Sequence, residues 1–398
     1  MKNIILLFVM ILLISCGIST EPSGKRDKPT NLKAVNTLND EIHLNWDDNS
    51  NQEIGFLISR QTGRSEFVII DTTEINQSEY LDDDVEENEY YIYRVAAVFD
   101  DEISDWSNEI EILHQFYFGG LEFGTDETFD VVTWNIEHFP KQNQTTVDYV
   151  TYAILGMNAE IFGLQEIENQ DFFYTLVDQL NSIDVNHNWE GHRAYSASYD
   201  INLAFIYKSD LVQVIDIYEI FENDNRPFPR NPLVMNCIYD TEEYFIINNH
   251  FKASGDGIMN LNDPWDEETR RYDASNLLDD FISENLPDAN VFVIGDLNDE
   301  LDDNSANNVF QNLIDNSSEY LFVDMDIAWG PNNYWSYPGW PSHLDHIMIT
   351  NELFDEFAFS DSSVETILLD EYLDGNWGEY DNYVSDHRPV GLNLDLEE

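Results

Sequence analysis

Val291-Phe-Val-Ile-Gly-Asp-Leu-Asn-Asp299 is the stretch from which the rest of the chain is read. Its four apolar residues, three of them β-branched, predict a buried strand that Gly295 ends. Asp296 and Asn298 follow, one residue apart, and strand geometry carried past Gly295 puts both on one face. A carboxylate and a carboxamide at a strand end bind a hard cation, orient a water or touch a phosphate oxygen. The same Asp-x-Asn pattern also makes a turn that caps its own backbone. The other strand ends of the chain decide between these readings.

Apolar, β-rich runs at residues 131–135, 161–166, 202–207, 244–250, 290–296, 343–349 and 389–392 predict strands. Helical stretches are predicted at 146–157, 172–180, 267–283 and 306–314. Strands with intervening helices make a layered α/β or α+β domain. Polar residues gather at the strand ends: Asn135; Glu166; His250; Asp296 with Asn298; Asp345; and Ser385-Asp386-His387-Arg388-Pro389. Taken singly, each reads better as a solvated or satisfied side chain than as a functional one. Six such clusters in this order call for a common explanation.

Thr-Trp-Asn135, Leu-Gln-Glu166, Asn-x-His250, Gly-Asp-Leu-Asn298, Leu-Asp345-His and Ser-Asp-His387-Arg-Pro together resemble the endonuclease/exonuclease/phosphatase superfamily of metal-dependent phosphodiesterases, from about Val131 to the C-terminus. The resemblance implies a four-layer α/β/β/α sandwich. It implies Glu166 as the main metal ligand, with Asn135 beside it and Asp386 completing the site. Oxygen donors of this kind suit Mg²⁺ or Mn²⁺ better than Zn²⁺. His387 is then the general base, oriented by Asp345, and His250 donates to the phosphate or the leaving oxygen. Asp296 and Asn298 orient water and phosphate. Which histidine is acid and which is base stays open. His346 reads as structural. The acidic run Asp299 to Asp303 reads as a solvated loop, with a structural Ca²⁺ site as the alternative.

The chain has 398 residues, with 17 Lys+Arg against 79 Asp+Glu and a net charge of −62. Such a charge works against long-range attraction to nucleic acid or anionic lipid. It is also what a salt-adapted or extracellular surface looks like. The two cysteines, Cys16 and Cys237, exclude a disulfide framework once Cys16 is modified. Met1-Lys2-Asn3 and the apolar run 4–15 form a short export signal, too short to span a bilayer as a mature helix. It ends in Leu13-Ile14-Ser15-Cys16, which resembles a bacterial lipobox with Cys16 as the lipidated residue. The expected organisation is a signal at 1–16, a flexible tether at 17–28, an all-β module at 29–113, a linker at 114–126 and the catalytic domain at 127–398. The module resembles a fibronectin type III domain: Pro29 opens it, Trp46 ends an early strand, Tyr91-x-Tyr93-Arg94-Val95-x-Ala97 forms a late one and Ser104-Asp-Trp-Ser107 follows. It reads as a spacer, with protein or polysaccharide binding as the alternative.

Cationic candidates for phosphate contact are few: Arg193, Lys252, Arg270, Arg271 and Arg388. Of these, Arg270 and Arg271 are expected on a helix surface. Trp335 and Trp340 lie in a loop shortly before Asp345 and are expected to rim the cleft, stacking on bases or dipping into lipid, with the covering of the core edge as an equal alternative. The first functional expectation is an exported nuclease, lipid-anchored at the cell envelope on the outer membrane or cell surface. Alternatives are a sphingomyelin or phospholipid phosphodiesterase, a small-substrate phosphatase, or an adhesive protein with a degenerate catalytic domain. The membrane is contacted only through the lipid anchor.

Overall fold

The computed structural model describes residues 25–37, 40–86, 89–114, 118–197 and 200–396. The export signal, Cys16 and most of the tether lie outside these. Among the described residues no helix is long and apolar enough to cross a membrane. The chain divides into two compact units, one closing at His114 and one made of the chain beyond it together with Asn36–Glu41.

The first unit holds two sheets. β1 (Thr30–Asn36), β2 (Ile42–Asp47) and β5 (Glu79–Asp82) form one in the order β1-β2-β5. β3 (Gly55–Thr62), β4 (Val68–Thr72), β6 (Tyr90–Val98) and β7 (Ile110–Leu113) form the other in the order β4-β3-β6-β7. Alternation makes the core: Ile42, Leu44 and Trp46 of β2 turn inward, as do Tyr91, Tyr93, Val95 and Ala97 of β6. Trp46 packs edge-on against Phe56 at 5.5 Å, and Arg94 is sandwiched between Phe67 and Trp106.

The second unit is built on two six-stranded sheets. β8 (Thr128–Phe139), β9 (Ile161–Ile167), β10 (Trp189–Arg193), β11 (Asn202–Lys208), β18 (Ser363–Thr366) and β19 (Val390–Asp395) take the order β10-β11-β9-β8-β19-β18. β12 (Gln213–Glu219), β13 (Leu233–Tyr239), β14 (Glu242–His250), β15 (Asn290–Asp296), β16 (Tyr320–Phe322) and β17 (Asp345–Thr350) take the order β12-β13-β14-β15-β17-β16. One face of each sheet contributes to a shared core: Phe129, Val131, Ile161 and Phe205 from the first, Met235, Ile246, Phe292, Ile294 and Ile347 from the second. The opposite face of the first sheet, with Val132 and Trp134, packs under α1 (Gln144–Met157) and α2 (Gln170–Ile183). The opposite face of the second, with Ile247, Val291 and Val293, packs under α3 (Glu267–Asn285). Asn169 and Asp266 cap α2 and α3, accepting from the Phe172 and Thr269 amides.

Gly295 lies inside β15 rather than ending it, at φ +145°. A Cβ there would sit 2.1 Å from the Asn249 carbonyl oxygen, so only glycine lets β14 and β15 pair this closely. The predicted helix at 306–314 reduces to one turn, Gln311–Asp315. β10 and β12 escape the sequence reading because their exposed polar residues dilute the apolar pattern.

At the far end of the first sheet from Glu166, Lys208 is buried with its ammonium on the Asn158 carbonyl (2.6 Å) and the Glu160 carboxylate (3.2 Å). Glu160 also accepts from the Asp130 amide, and the Asp130 carboxylate takes Thr125, Thr128 and Asn393. Burial pushes the Glu160 carboxyl up to about 7, against the pull of Lys208. Its folded pKa lies above the unfolded 4.5, so stability falls as the pH rises from about 4.5 to about 7 and the penalty is complete above that. Lys208→Met is expected to cost about 3–5 kcal/mol at pH 8 by leaving two buried carboxylates without their cation. The loss should be smaller at pH 5, where Glu160 is protonated; urea unfolding at the two pH values checks both.

Candidate active site

Strand register brings the sequence-predicted residues together. Across the second sheet His250 pairs with Asp296 in parallel, and Asp296 pairs with Asp345 in antiparallel. Three adjacent strands thus end in one polar row. In the first sheet Asn135 pairs with Gln165, which sets Glu166 beside it, and Ser385–Arg388 leads into β19 next to β8. Both sheets end at the same place, and their polar ends meet across it.

His387 Nδ1 lies 2.7 Å from Asp345 Oδ2, with both side chains buried. The His387 Nε2 lies 3.9 Å from both Asp296 Oδ2 and Asp386 Oδ1. The ring is held from behind: the Ser385 hydroxyl accepts the His387 amide and donates to the Asn135 carbonyl. Tyr380 donates to the His387 carbonyl, and the Tyr337 ring leans on the imidazole at 4.7 Å. Burial alone would lower the His387 pKa, but the negative charges of Asp345 and Asp296 outweigh it and lift the ring to about 10. Asp296 is pushed up to about 7, first by burial and then by Asp345 and Glu166, against His387 and the Asn135 amide. Asp386 is likewise raised to about 6 by burial, Glu137 and Glu166. His250 is fully buried, its Nε2 3.5 Å from Asp296 and 3.9 Å from Glu166. Burial, with Arg230 and His387 nearby, holds its pKa well below the ordinary range, so its ring is neutral.

Glu166 adopts φ +64°, and Glu137 and His138 are also at positive φ. Residues with a Cβ are costly there, and such strain concentrates at functional sites. The Glu166 carboxylate accepts from the His138 amide at 3.0 Å and faces the Asn135 amide at 3.4 Å.

Several assignments change. Asn135 turns its amide nitrogen, not its oxygen, to Asp296 (2.9 Å) and Glu166, while its oxygen accepts from the Glu137 amide. In this arrangement the Asn135 side chain bridges the two carboxylates. Strand geometry does not persist past Asp296: Asn298 is at φ +55° and its amide donates to Asp296 Oδ1, so the pair forms a turn. Arg193 is not open to substrate, because its buried guanidinium is spent on the carbonyls of Ile167, Glu168, Ala194 and Asp200. Arg388 is fixed to Asp370 by two 2.7 Å bonds. Arg271 is buried rather than on a helix surface. Trp335 donates its indole N–H to the Ile327 carbonyl, whereas Trp340 is 78% exposed in the hairpin turn closed by the Tyr337–Ser342 bridge. Lys252 is half-buried near Glu267.

The sequence reading missed Arg230. Its guanidinium donates to the Phe251 carbonyl and feels the charges of Glu166 and Asp296, which oppose the lowering of its pKa by burial. Its signal was an arginine between two prolines, Pro229 and Pro232, opening β13. Glu137 was also missed; it accepts the Asp386 amide and pairs with Lys141.

The donor set fits a hard divalent cation. Burial first, and then neighbouring carboxylates including Glu166, lift the Asp296 and Asp386 pKa values, and a cation among Glu166, Asp296 and Asp386 would favour their ionised forms. Among the described residues, metal-capable groups of three gather as Asp296–Asp345–His387 and as Asp324–His343–His346. The second is not an open site. The His343 Nδ1 faces the Ser336 amide, so its Nε2 carries the proton given to Asp324, and His346 faces an acceptor on each nitrogen. The acidic run does not assemble such a group: Asp299 is bonded to Arg271.

The chain belongs to the endonuclease/exonuclease/phosphatase family, whose sequence profile matches residues 126–391. The family is named for three activities that share one chemistry, hydrolysis of a phosphoester bond. Similar solved structures include D. rerio TDP2 complexed with single strand DNA product (12% identity, 68% of this chain and 99% of that one, TM-score 0.49). Human Nocturnin catalytic domain with bound sulfate anion is another (15%, 68% and 95%, 0.48), as is an endonuclease/exonuclease/phosphatase from Bacteroides vulgatus (14%, 68% and 99%, 0.46). No curated protein matches the chain.

Glu166→Gln should raise the Mg²⁺ dissociation constant more than about tenfold by calorimetry, since even outer-shell substitutions at metal sites cost that much. Arg388→Lys, which touches none of these carboxylates, should leave it unchanged.

Proposed function

We propose that the second unit is a Mg²⁺-dependent phosphodiesterase acting as an endonuclease, exported and held at the cell envelope by a lipidated Cys16. The observation that carries this reading is the buried Asp345–His387 pair facing Asp296, Glu166 and Asp386 across the meeting ends of two sheets. Glu166, Asp296 and Asp386 would hold the cation, which would supply charge neutralisation at the phosphate and lower the pKa of a nearby water. Asp345 holds the Nδ1 proton of His387, which leaves Nε2 to accept a proton from the attacking water. With a cation held by Glu166, Asp296 and Asp386, the negative field on His387 would be weaker and its Nε2 freer to take that proton. Neutral His250 donates a hydrogen bond from Nε2, and Arg230 meets the non-bridging oxygens. Mn²⁺ would serve in the same place.

The layer order inferred from the three cores is α/β/β/α, and the first unit, with its two sheets and Arg94 stacked between aromatics, is read as a fibronectin type III spacer. A second reading, a phosphodiesterase of zwitterionic phospholipid or sphingomyelin, draws on Trp340 and Trp265, 78% and 66% exposed. The non-catalytic reading is disfavoured because six separate segments converge on one site.

Nicking of supercoiled plasmid by the chain from Lys28 onward tests the proposal. Mg²⁺-dependent nicking that falls about 10²–10⁴-fold in His387→Ala is expected. Nicking that survives in the variant would remove His387 from the chemistry. No nicking, with turnover of sphingomyelin vesicles instead, would transfer the site to the second reading.

A further inference from the structure

Beyond the Asp296–His250 pair the two central strands of the second sheet part company, yet the residues just past them carry much of the site. The ladder closes with the Phe251 amide on the Asp296 carbonyl at 2.9 Å and the Asn298 side-chain amide on the Phe251 carbonyl at 3.4 Å. After that, one segment runs into the loop before α3 and the other into the acidic run. No backbone ladder joins Lys252–Ser254 to Asp299.

Arg271, in the second turn of α3, spans the gap. Its Nε donates to Asp299 Oδ2 at 2.7 Å, and its Nη1 donates to the carbonyls of Lys252 (2.7 Å) and Ser254 (2.6 Å). Its Nη2 lies 3.4 Å from Glu268 Oε1. All three nitrogens of the fork are committed, and the side chain is 4% exposed. Asp299 is gripped a second time from β17: its carbonyl accepts from His346 Nε2 at 2.9 Å, while the other nitrogen of that ring bonds Asp324 at 2.6 Å. Asp299 therefore links three segments, those that carry His250, Asn298 and Asp345. None of the bonds of Arg271 or Asp299 reaches Glu166, Asp296 or His387.

We propose that the Arg271–Asp299 pair is a positioning clasp that holds His250 and Asn298 at the spacing the phosphate requires. A buried ion pair is weak evidence for stability, since apolar residues of the same shape often fold as well. What the pair uniquely provides is direction: a planar fork fixes two loops at once, which a lysine point charge does not. Displacements of about 1 Å in such a shell cost on the order of 10²-fold in rate. The proposal rests on the phosphodiesterase reading for its kinetic consequence, though not for its geometry.

The test uses Arg271→Lys, Asp299→Asn and the double variant in the otherwise complete mature chain. Turnover of bis(p-nitrophenyl) phosphate with Mg²⁺ is measured beside the histidine-ring ¹⁵N resonances. Each single variant is expected to lose kcat roughly 10- to 100-fold with KM unchanged, to keep its melting temperature well above the assay, and to shift the His250 ring resonances but not those of His187. The double variant should be no worse than the worse single one, because both remove one coupling. Additive losses, a silent Asp299→Asn, or losses matching the fraction unfolded would overturn the clasp. A rise in KM with kcat preserved in Arg271→Lys alone would make Arg271 a substrate contact and would also overturn it. Should the unsubstituted chain turn over no phosphodiester, the functional reading fails on its own. The His250 resonances then decide the clasp: moved in both single variants upholds it, unmoved in both refutes it.

Discussion

The hydrogen bond between Asp345 and His387 joins the two sheets of the second unit at their polar ends. Asp345 opens a strand of one sheet, and His387 lies just ahead of the last strand of the other. The bond can form only if both sheets keep their register and their shared core keeps its thickness. Asn135 reaching from the first sheet to Asp296 in the second makes the same demand. The apolar patterns of β8, β15 and β19 are thus translated into the position of an imidazole. Slipping any of these strands by one residue would turn its side chains to the wrong face and dissolve the site.

Charge balance is the second constraint. The chain carries 79 acidic against 17 basic residues, yet the cations it has are placed with economy. Lys208 sits between buried carboxylates at one end of the first sheet, Arg193 and Arg388 tie loops near the other, and Arg230, bonded to the Phe251 carbonyl, feels the charges of Glu166 and Asp296. The site itself keeps an excess of carboxylate, which raises the His387 pKa against the effect of burial. Such an excess is what a hard cation neutralises. An acidic exterior does not prevent binding of an anionic substrate at short range, because fields beyond about 10 Å are screened at physiological salt.

Much of this was legible in the sequence. Seven predicted strands lie within strands of the second unit or overlap them, because their apolar runs are buried on both faces and so carry a strong signal. The convergence of Asn135, Glu166, His250, Asp296, Asp345 and His387 followed from their shared place at strand ends. What the sequence could not convey was direction. It did not show that Asn135 would offer nitrogen, that Asn298 would fold back on Asp296, or that Arg193 and Arg271 would turn inward onto carbonyls. Those outcomes depend on which backbone groups the loops leave unpaired, a property of the assembled chain. Arg230 was overlooked because it stands in a proline-bounded loop with no periodicity to mark it.

The central claim is that the carboxylates at the meeting of the two sheets hold the divalent cation with which His387 works. A crystal soaked in Mn²⁺ and measured at the manganese absorption edge tests it most directly. The account predicts one dominant anomalous peak against the Glu166 carboxylate, within reach of Asp296 or Asp386. A peak at Asp324–His343–His346, or none at the sheet ends while Mn²⁺ binds elsewhere, would contradict it.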